Sequence, residues 1–263
     1  MSSKSDAILI GHTGFVGGNL AKQWHFDESF NSRNIGDLRN ASAKLIVCAG
    51  VQAKKWWANQ HPEEDWRGIQ SLLDVLKTCR AERFVLISTI DVYPIPCGVN
   101  EETSLEGDNH AYGIHRRRVE EFVRERFSTH NVLRLPGLFG TGLRKNVIFD
   151  LLHDNCIEQI NPEGSFQYYL LGHLWADIQR CIAHEIPTLN IATEPVQTSE
   201  IIDRYFPCQR SRVASAKRAG VTYDMRTIYS PVWNSKADGY LYDRSTVLRE
   251  IGEFVSMERS RLS

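Results

Sequence analysis

Short apolar runs alternate with amphipathic stretches through the first half of the chain. Ala7-Ile8-Leu9-Ile10, closed by Gly11, and Leu45-Ile46-Val47-Cys48, closed by Ala49-Gly50, are continuous apolar runs. That is the pattern of strands buried on both faces. Phe84-Val85-Leu86-Ile87, running into Ser88-Thr89-Ile90-Asp91-Val92-Tyr93, reads the same way, as does Asn131-Val132-Leu133-Arg134-Leu135. Between these runs apolar residues recur at helical spacing. Trp66, Ile69, Leu72, Leu73 and Leu76 predict a helix over 63–80, and Val119, Phe122, Val123 and Phe127 one beginning near Ala111. A short candidate strand at 30–34 lies so near the next run that any crossover helix there is minimal. Strand–helix alternation of this kind predicts an α/β fold with a doubly wound parallel sheet.

Beyond Gly142 the pattern loosens. Residues 147–153 and 174–184 look helical, 166–171 and 189–192 look like strands, and Thr198-Ser199-Glu200 reads as a helix start. Ser245 is a candidate cap for a last helix carrying Val247, Leu248, Ile251 and Phe254. The segment 209–236 is polar and predicts no element. Residues 51–62 read as a long loop containing Lys54-Lys55-Trp56-Trp57, whose aromatic rings suit either packing or a ligand.

Charge narrows the classes of partner. The formal net charge of −1 supplies no bulk attraction to nucleic acid or to an anionic membrane. Arg116-Arg117-Arg118 is a basic run, but Glu120, Glu121 and Glu125 follow it. Arg116–Glu120 and Arg117–Glu121 fall at i,i+4, so a charge-paired, solvated face is expected for Arg117 and Arg118. No apolar run approaches the ~20 residues of a membrane span. The first six residues carry no apolar signal region, so a cytoplasmic protein is expected. The six cysteines lack Cys-x-x-Cys spacing and the nine histidines lack metal spacing, which predicts reduced thiols and no metal.

Candidate chemistry begins at Gly11-His12-Thr13-Gly14-Phe15-Val16-Gly17-Gly18. Glycines recur at i, i+3 and i+6 between a strand and a helix. Such a turn lets backbone approach a pyrophosphate, and the following helix offers N–H groups and a partial positive charge to the anion. A glycine-rich turn without a ligand is the bland alternative. Further along, Ser88-Thr89 closes the fourth strand, and Tyr112 and Arg116 stand one turn apart on one helix face.

In this order and spacing the motifs resemble the extended short-chain dehydrogenase/reductase family, the group of NAD(P)-dependent nucleotide-sugar epimerases, dehydratases and reductases. The matching segments are Thr13-Gly14-Phe15-Val16-Gly17-Gly18, Thr89-Ile90-Asp91-Val92-Tyr93, Tyr112 to Arg116, and Arg134-Leu135-Pro136-Gly137-Leu138-Phe139-Gly140. The resemblance covers roughly 7–195 and departs from the family at Arg116, where a lysine is usual. It implies a Rossmann-type doubly wound sheet with a small C-terminal substrate-binding cap. The expected division is a cofactor-binding core over 1–143 and a cap over most of 144–263, with 165–195 returning to the core.

The resemblance also implies roles. Tyr112 would be the general acid/base, Thr89 the hydroxyl that orients the substrate oxygen, and Arg116 the charge that favours the phenolate. Arginine keeps that charge but is no steric equivalent of an ammonium. Gly11, Thr13, Gly14, Phe15, Val16, Gly17, Ala49, Gly50, Tyr112, Arg116, Pro136 and Leu138 would touch the cofactor. At the end of the second strand Ser32 and Arg33 stand where NAD enzymes present an acid. A serine–arginine pair suits a 2′-phosphate, so NADP is expected over NAD. Asp91, Lys145 and Asn146 are candidate substrate ligands, Asp91 with a capping role as the alternative. Trp56, Trp57 and Tyr168 are candidates for stacking on a sugar or base. A nucleotide sugar is the expected substrate; dimers are common in the family, which admits a homodimer here without fixing it. The rival expectation, motivated by Arg116, is a catalytically impaired cofactor-binding sensor or partner-binding protein. RNA binding through Arg116–Arg118 is disfavoured by the near-neutral charge.

Overall fold

The computed structural model describes residues 5–213 and 220–262. In chain order its elements are β1 (Ser5–Ile10), α1 (Phe15–Gln23), β2 (Glu28–Phe30), β3 (Ser42–Cys48), α2 (Lys55–Gln60), α3 (Pro62–Leu76), β4 (Arg80–Thr89), β5 (Cys97–Val99), α4 (Ala111–Arg126), β6 (His130–Leu135), β7 (Gly137–Phe139) and α5 (Val147–His153). There follow β8 (Ser165–Phe166), β9 (Tyr168–Leu170), α6 (Leu174–Ala183), β10 (Thr188–Asn190), β11 (Val196–Gln197), α7 (Thr198–Tyr205), β12 (Asp224–Met225) and α8 (Arg244–Leu262). The chain forms two compact units. One comprises Met1–Ile95, Thr103–Arg134 and Gly172–Leu189; the other comprises Pro96–Glu102, Leu135–Leu171 and Asn190–Ser263. The segment that returns to the first unit is thus Gly172–Leu189, where 165–195 was expected, and 135–143 lies in the second.

In the first unit the apolar runs pair as a six-stranded sheet of order β10-β6-β4-β3-β1-β2. The pairings β2–β1, β1–β3 and β3–β4 are parallel, with Ile8 opposite Ile46 and Ile46 opposite Phe84. Those three residues and Val132 share one core with Ile69, Leu72, Leu73 and Leu76 of α3 and with Val119 and Val123 of α4. The alternate residues Leu9, Val47, Val85 and Leu133 are buried as well, so both faces of the sheet are covered. Pro62 at the first helical position and Glu63, Glu64 and Asp65 in the first turn start α3 where its macrodipole favours them.

Several boundaries differ from the expectation, each for a local reason. The strand expected at 30–34 ends at Phe30, because Asn31 N donates to Asn34 Oδ1 (2.7 Å) and Arg33 N to Asn31 Oδ1 (2.8 Å). Asparagine side chains thus offer the backbone a turn in place of a ladder. The helix expected to Arg80 stops at Leu76, and β4 starts at Arg80 because the edge of β3 is there to pair with it (Ser42 opposite Arg80). The expected loop 51–62 holds α2, and the expected strand 166–171 breaks into β8 and β9. Asp243, not Ser245, caps α8: its Oδ1 accepts from Thr246 N at 2.7 Å and from Ser245 Oγ at 2.7 Å.

The second unit has its own core, in which Phe139, Ile148, Leu151, Ile201, Leu248 and Ile251 meet. Its strands pair two by two, β7 with β9, β8 with β11 and β5 with β12. Among the described residues no helix is long and apolar enough to cross a membrane, and no group of His, Cys, Asp or Glu could hold a metal ion.

Candidate active site

The sheet order reverses between β1 and β3, and that is where parallel α/β sheets open a crevice at their carboxyl ends. Gly11, directly after β1, has φ +91°, and a Cβ there would strike the backbone of Ala49 and Gly50 after β3. A Cβ on Gly17 would strike the Gly11 carbonyl. Gly14 N donates to that same carbonyl (2.9 Å), and Gly14 begins α1 with no side chain capping the helix. Thr13 and Gly14 are exposed and Phe15 and Val16 half-buried, so the turn presents backbone outward. A pyrophosphate fits a helix start of this kind. Next to it, after β2, Ser32 and Arg33 are exposed, and Asn31 Nδ2 lies 3.4 Å from His12 Nε2.

At the carboxyl end of β4, Thr89 caps a short 3-10 turn: its Oγ1 accepts from Asp91 N at 3.2 Å. The Thr89 hydroxyl faces the Tyr112 phenol and favours its ionised form. Tyr112 is the second residue of α4 and is 6 % exposed. His110 caps α4, its Nδ1 accepting from Gly113 N at 3.0 Å, and Asn59 of α2 accepts from Tyr112 N at 3.0 Å. Burial pushes the phenol above its ordinary value; the Arg116 charge opposes this, Asp91 adds to it, and Thr89 and Lys55 oppose it. The net result is a phenol that keeps its proton at neutral pH. Asp91 itself is held by Lys55, Nζ to Oδ1 2.7 Å.

Arg116 does not point its charge at the phenol oxygen alone. Its guanidinium carbon lies 3.9 Å from the centroid of the Tyr112 ring, and the group is 4 % exposed. Nη1 pairs with Asp65 Oδ2, Nη2 bonds Asp65 Oδ1 at 3.0 Å, and Nη2 also bonds the Gln52 carbonyl. His115 Nδ1 shares Asp65 Oδ2 at 2.8 Å. The expected Arg116–Glu120 pair is therefore absent, although Arg117–Glu121 forms at 3.0 Å. Glu120 is buried and binds Arg134 (Nη2 to Oε2 2.7 Å), Arg124 (2.9 Å) and the Ser88 hydroxyl (2.5 Å) instead. Helical spacing offered Arg116 and Glu120 to each other, but both point inward, where tertiary partners lie.

Thus one unit brings together the glycine turn, Ala49, Gly50, Ser32, Arg33, Thr89, Asp91, Tyr112 and Arg116. The other expected residues lie in the second unit. Pro136 is buried, and Leu138 is half-buried in β7 opposite Tyr169. Lys145 is exposed. Asn146 has φ +131° and spends its amide on the chain, accepting from Phe149 N (3.0 Å) and donating to the Leu138 carbonyl (2.9 Å). Its side chain thus starts the seven-residue α5. Tyr168 is packed in the core of that unit. In the first unit Trp56 is exposed and Trp57 stacks on His61 at 5.3 Å.

Four residues of the site escaped the sequence reading: Gln52, Lys55, Asn59 and Asp65. Asp65 had a signal, standing four residues before Ile69 on the apolar stripe of α3, where a carboxylate needs a buried partner. Lys55 and Asn59 had none, because α2 itself was not legible.

Residues 31–155 match the model of the NAD dependent epimerase/dehydratase family. No curated protein sequence matches significantly. Among solved structures, the chain is similar to UDP-glucose 4-epimerase of Thermotoga maritima in complex with UDP-glucose (TM-score 0.72, 13 % identity, 98 % of this chain and 100 % of that one). It is similar to dTDP-4-dehydrorhamnose reductase of Bacillus anthracis in complex with NADP (TM-score 0.72, 15 % identity, 98 % and 99 %). It is also similar to MoeE5 in complex with UDP-glucose and NAD (TM-score 0.69, 18 % identity, 98 % and 100 %). At these identities the structures speak to the fold. With the family match over residues 31–155 they agree with the motif resemblance to the extended short-chain dehydrogenase/reductase family.

Proposed function

We propose that the protein is an NADP-dependent oxidoreductase or epimerase acting at a carbonyl or hydroxyl carbon of a nucleotide sugar, with Tyr112 as general acid/base. The observation that carries this is the setting of Thr89 and Tyr112 at the end of β4, fixed by Asp91 and by Asn59 of α2, in the unit that holds the glycine turn. The match to the epimerase/dehydratase family supports it, as do the nucleotide sugar or nicotinamide cofactor bound in the similar structures. Gly11 to Gly17 and the start of α1 would hold the pyrophosphate, and Ser32 and Arg33 a 2′-phosphate. The turn after β2 offers no carboxylate before Asp37, which is what favours NADP over NAD. A nicotinamide bound there would supply or receive the hydride. Tyr112, protonated at neutral pH, delivers its proton to a carbonyl oxygen that Thr89 orients, and takes one back in the reverse direction. Arg116 lies along the ring and tempers the phenol's rise.

A second reading, a cofactor-binding sensor without turnover, draws on the commitment of the Arg116 guanidinium to Asp65 and Gln52. One experiment separates the two. Protein fluorescence is followed during titration with NADPH and with NADH, and nucleotide sugars are then screened with product analysis, because an epimerase regenerates its cofactor. Tighter binding of NADPH and turnover that falls about 10²–10⁴-fold in Tyr112→Phe are expected. Binding of neither cofactor refutes both readings; turnover unaltered in Tyr112→Phe removes that residue from its role.

A further inference from the structure

The geometry points to Lys55 as the positioning cation of this site, acting through Asp91 on the Thr89–Tyr112 pair, a role resting on Tyr112 as the acid/base. Helix α2 holds both members of that pair. Asn59 accepts from Tyr112 N at 3.0 Å. One turn earlier on the same helix Lys55 binds Asp91 at 2.7 Å, and Asp91 N donates to Thr89 Oγ1 at 3.2 Å. The Asp91 N–H occupies one lone pair of the Thr89 oxygen and so fixes the hydroxyl beside the phenol. Asn109 Nδ2 fastens the same turn, donating to the Asp91 carbonyl at 3.0 Å and to that of Val92 at 3.2 Å.

The two cations near Tyr112 are bound very differently. Arg116 is enclosed and shares a two-pronged pair with Asp65, so its charge is largely matched by a carboxylate that cannot leave. The Lys55 side chain is 39 % exposed and that of Asp91 15 %. Their pair is open enough to rearrange when a substrate arrives, and a lysine ammonium on a flexible stem is the group that can follow. The charged and titratable groups facing Tyr112 are Arg116 from α4, His110 from its N-cap, Asp91 from the turn after β4 and Lys55 from α2, with Asp65 of α3 behind Arg116. Asp91 disfavours the phenolate and Lys55 favours it. Lys55 therefore acts twice, by its own charge and by neutralising the carboxylate beside Thr89. Loss of Lys55 leaves Asp91 uncompensated next to the phenol.

The test uses the whole chain and reads Tyr112 apart from turnover. Tyrosinate absorbance is titrated in each variant and referred to the same variant carrying Tyr112→Phe, while NADPH binding is followed by fluorescence. Lys55→Met is expected to raise the Tyr112 midpoint by about one pH unit. Asp91→Asn is expected to lower it, Lys55→Met with Asp91→Asn to return it near the wild-type position, and Lys55→Arg to leave it close to wild type. With a turning-over substrate, kcat in Lys55→Met is expected to fall about tenfold with KM nearly constant, and the pH–rate limb assigned to Tyr112 to move with the midpoint. A Tyr112 midpoint unmoved in Lys55→Met, or moved the same way in Asp91→Asn, overturns the role of Lys55. Failure of the wild type to bind NADPH overturns the proposed function, while the titration still decides whether Lys55 governs Tyr112.

Discussion

Arg134→Met is expected to unfold the first unit far more easily than its single side chain suggests. Glu120 is 0 % exposed and Arg134 2 % exposed. Arg134 meets both carboxylate oxygens, Nε to Oε1 at 3.0 Å and Nη2 to Oε2 at 2.7 Å, and its Nη1 donates to Tyr93 Oη at 2.7 Å. Removing one partner of a buried pair leaves an uncompensated charge, which costs ~3–5 kcal/mol. Because Arg124 and Ser88 still bind Glu120, the low end applies, ~3 kcal/mol, or about a hundredfold in the folding equilibrium. For a protein of this size that corresponds to a fall of about 6–12 °C in melting temperature. Replacing both partners with apolar residues, Glu120→Leu with Arg134→Met, is expected to cost less than Arg134→Met alone.

The pH dependence gives that prediction a sign. Burial pushes the Glu120 carboxyl up, but the hydrogen bonds and charges of Arg134, Ser88 and Arg124 outweigh it and hold the group below its ordinary value. Its contribution in the wild type is therefore present above the unfolded value of ~4.3 and is lost as pH falls through the lower folded value. In Arg134→Met burial meets less opposition, so the penalty shrinks on acidification as the carboxyl takes up a proton. Calorimetric melting from neutral pH down to about pH 4 should show the two curves converging. Equal melting temperatures at neutral pH, or a gap that widens on acidification, would refute the assignment of Glu120 as a charge held by Arg134.

Gly17→Ala is expected to weaken NADPH binding at least tenfold and to lower the melting temperature, because the new Cβ meets the Gly11 carbonyl rather than a movable side chain. Fluorescence titration and a thermal melt check both, and an alanine variant that binds normally removes the turn from cofactor binding. Arg116→Lys restores the residue usual in the family, yet it is expected to lower stability by ~1–3 kcal/mol without raising turnover, since an ammonium cannot serve Asp65 and the Gln52 carbonyl with the same fork. A variant that is both as stable and more active would show that the arginine degrades the site.

The sequence by itself determined the order of the core elements, because two-sided burial writes itself as continuous apolar runs and one-sided burial as helical stripes. It also located the glycine turn, where the Gly11 and Gly17 positions admit no Cβ, and the Thr89 and Tyr112 that one unit brings together. Tertiary structure alone decided the pairing of charges. Local spacing offered Arg116 to Glu120, but a helix turned inward exchanges neighbours on its own surface for partners from other elements. Arg116 accordingly meets Asp65 of α3, and Glu120 meets Arg134 of β6. The same holds for Lys55, which lies 36 residues before Asp91 and reaches it only once α2 packs beside α4. Desolvation decides such partners, and desolvation is a property of the packed unit rather than of any short stretch of chain.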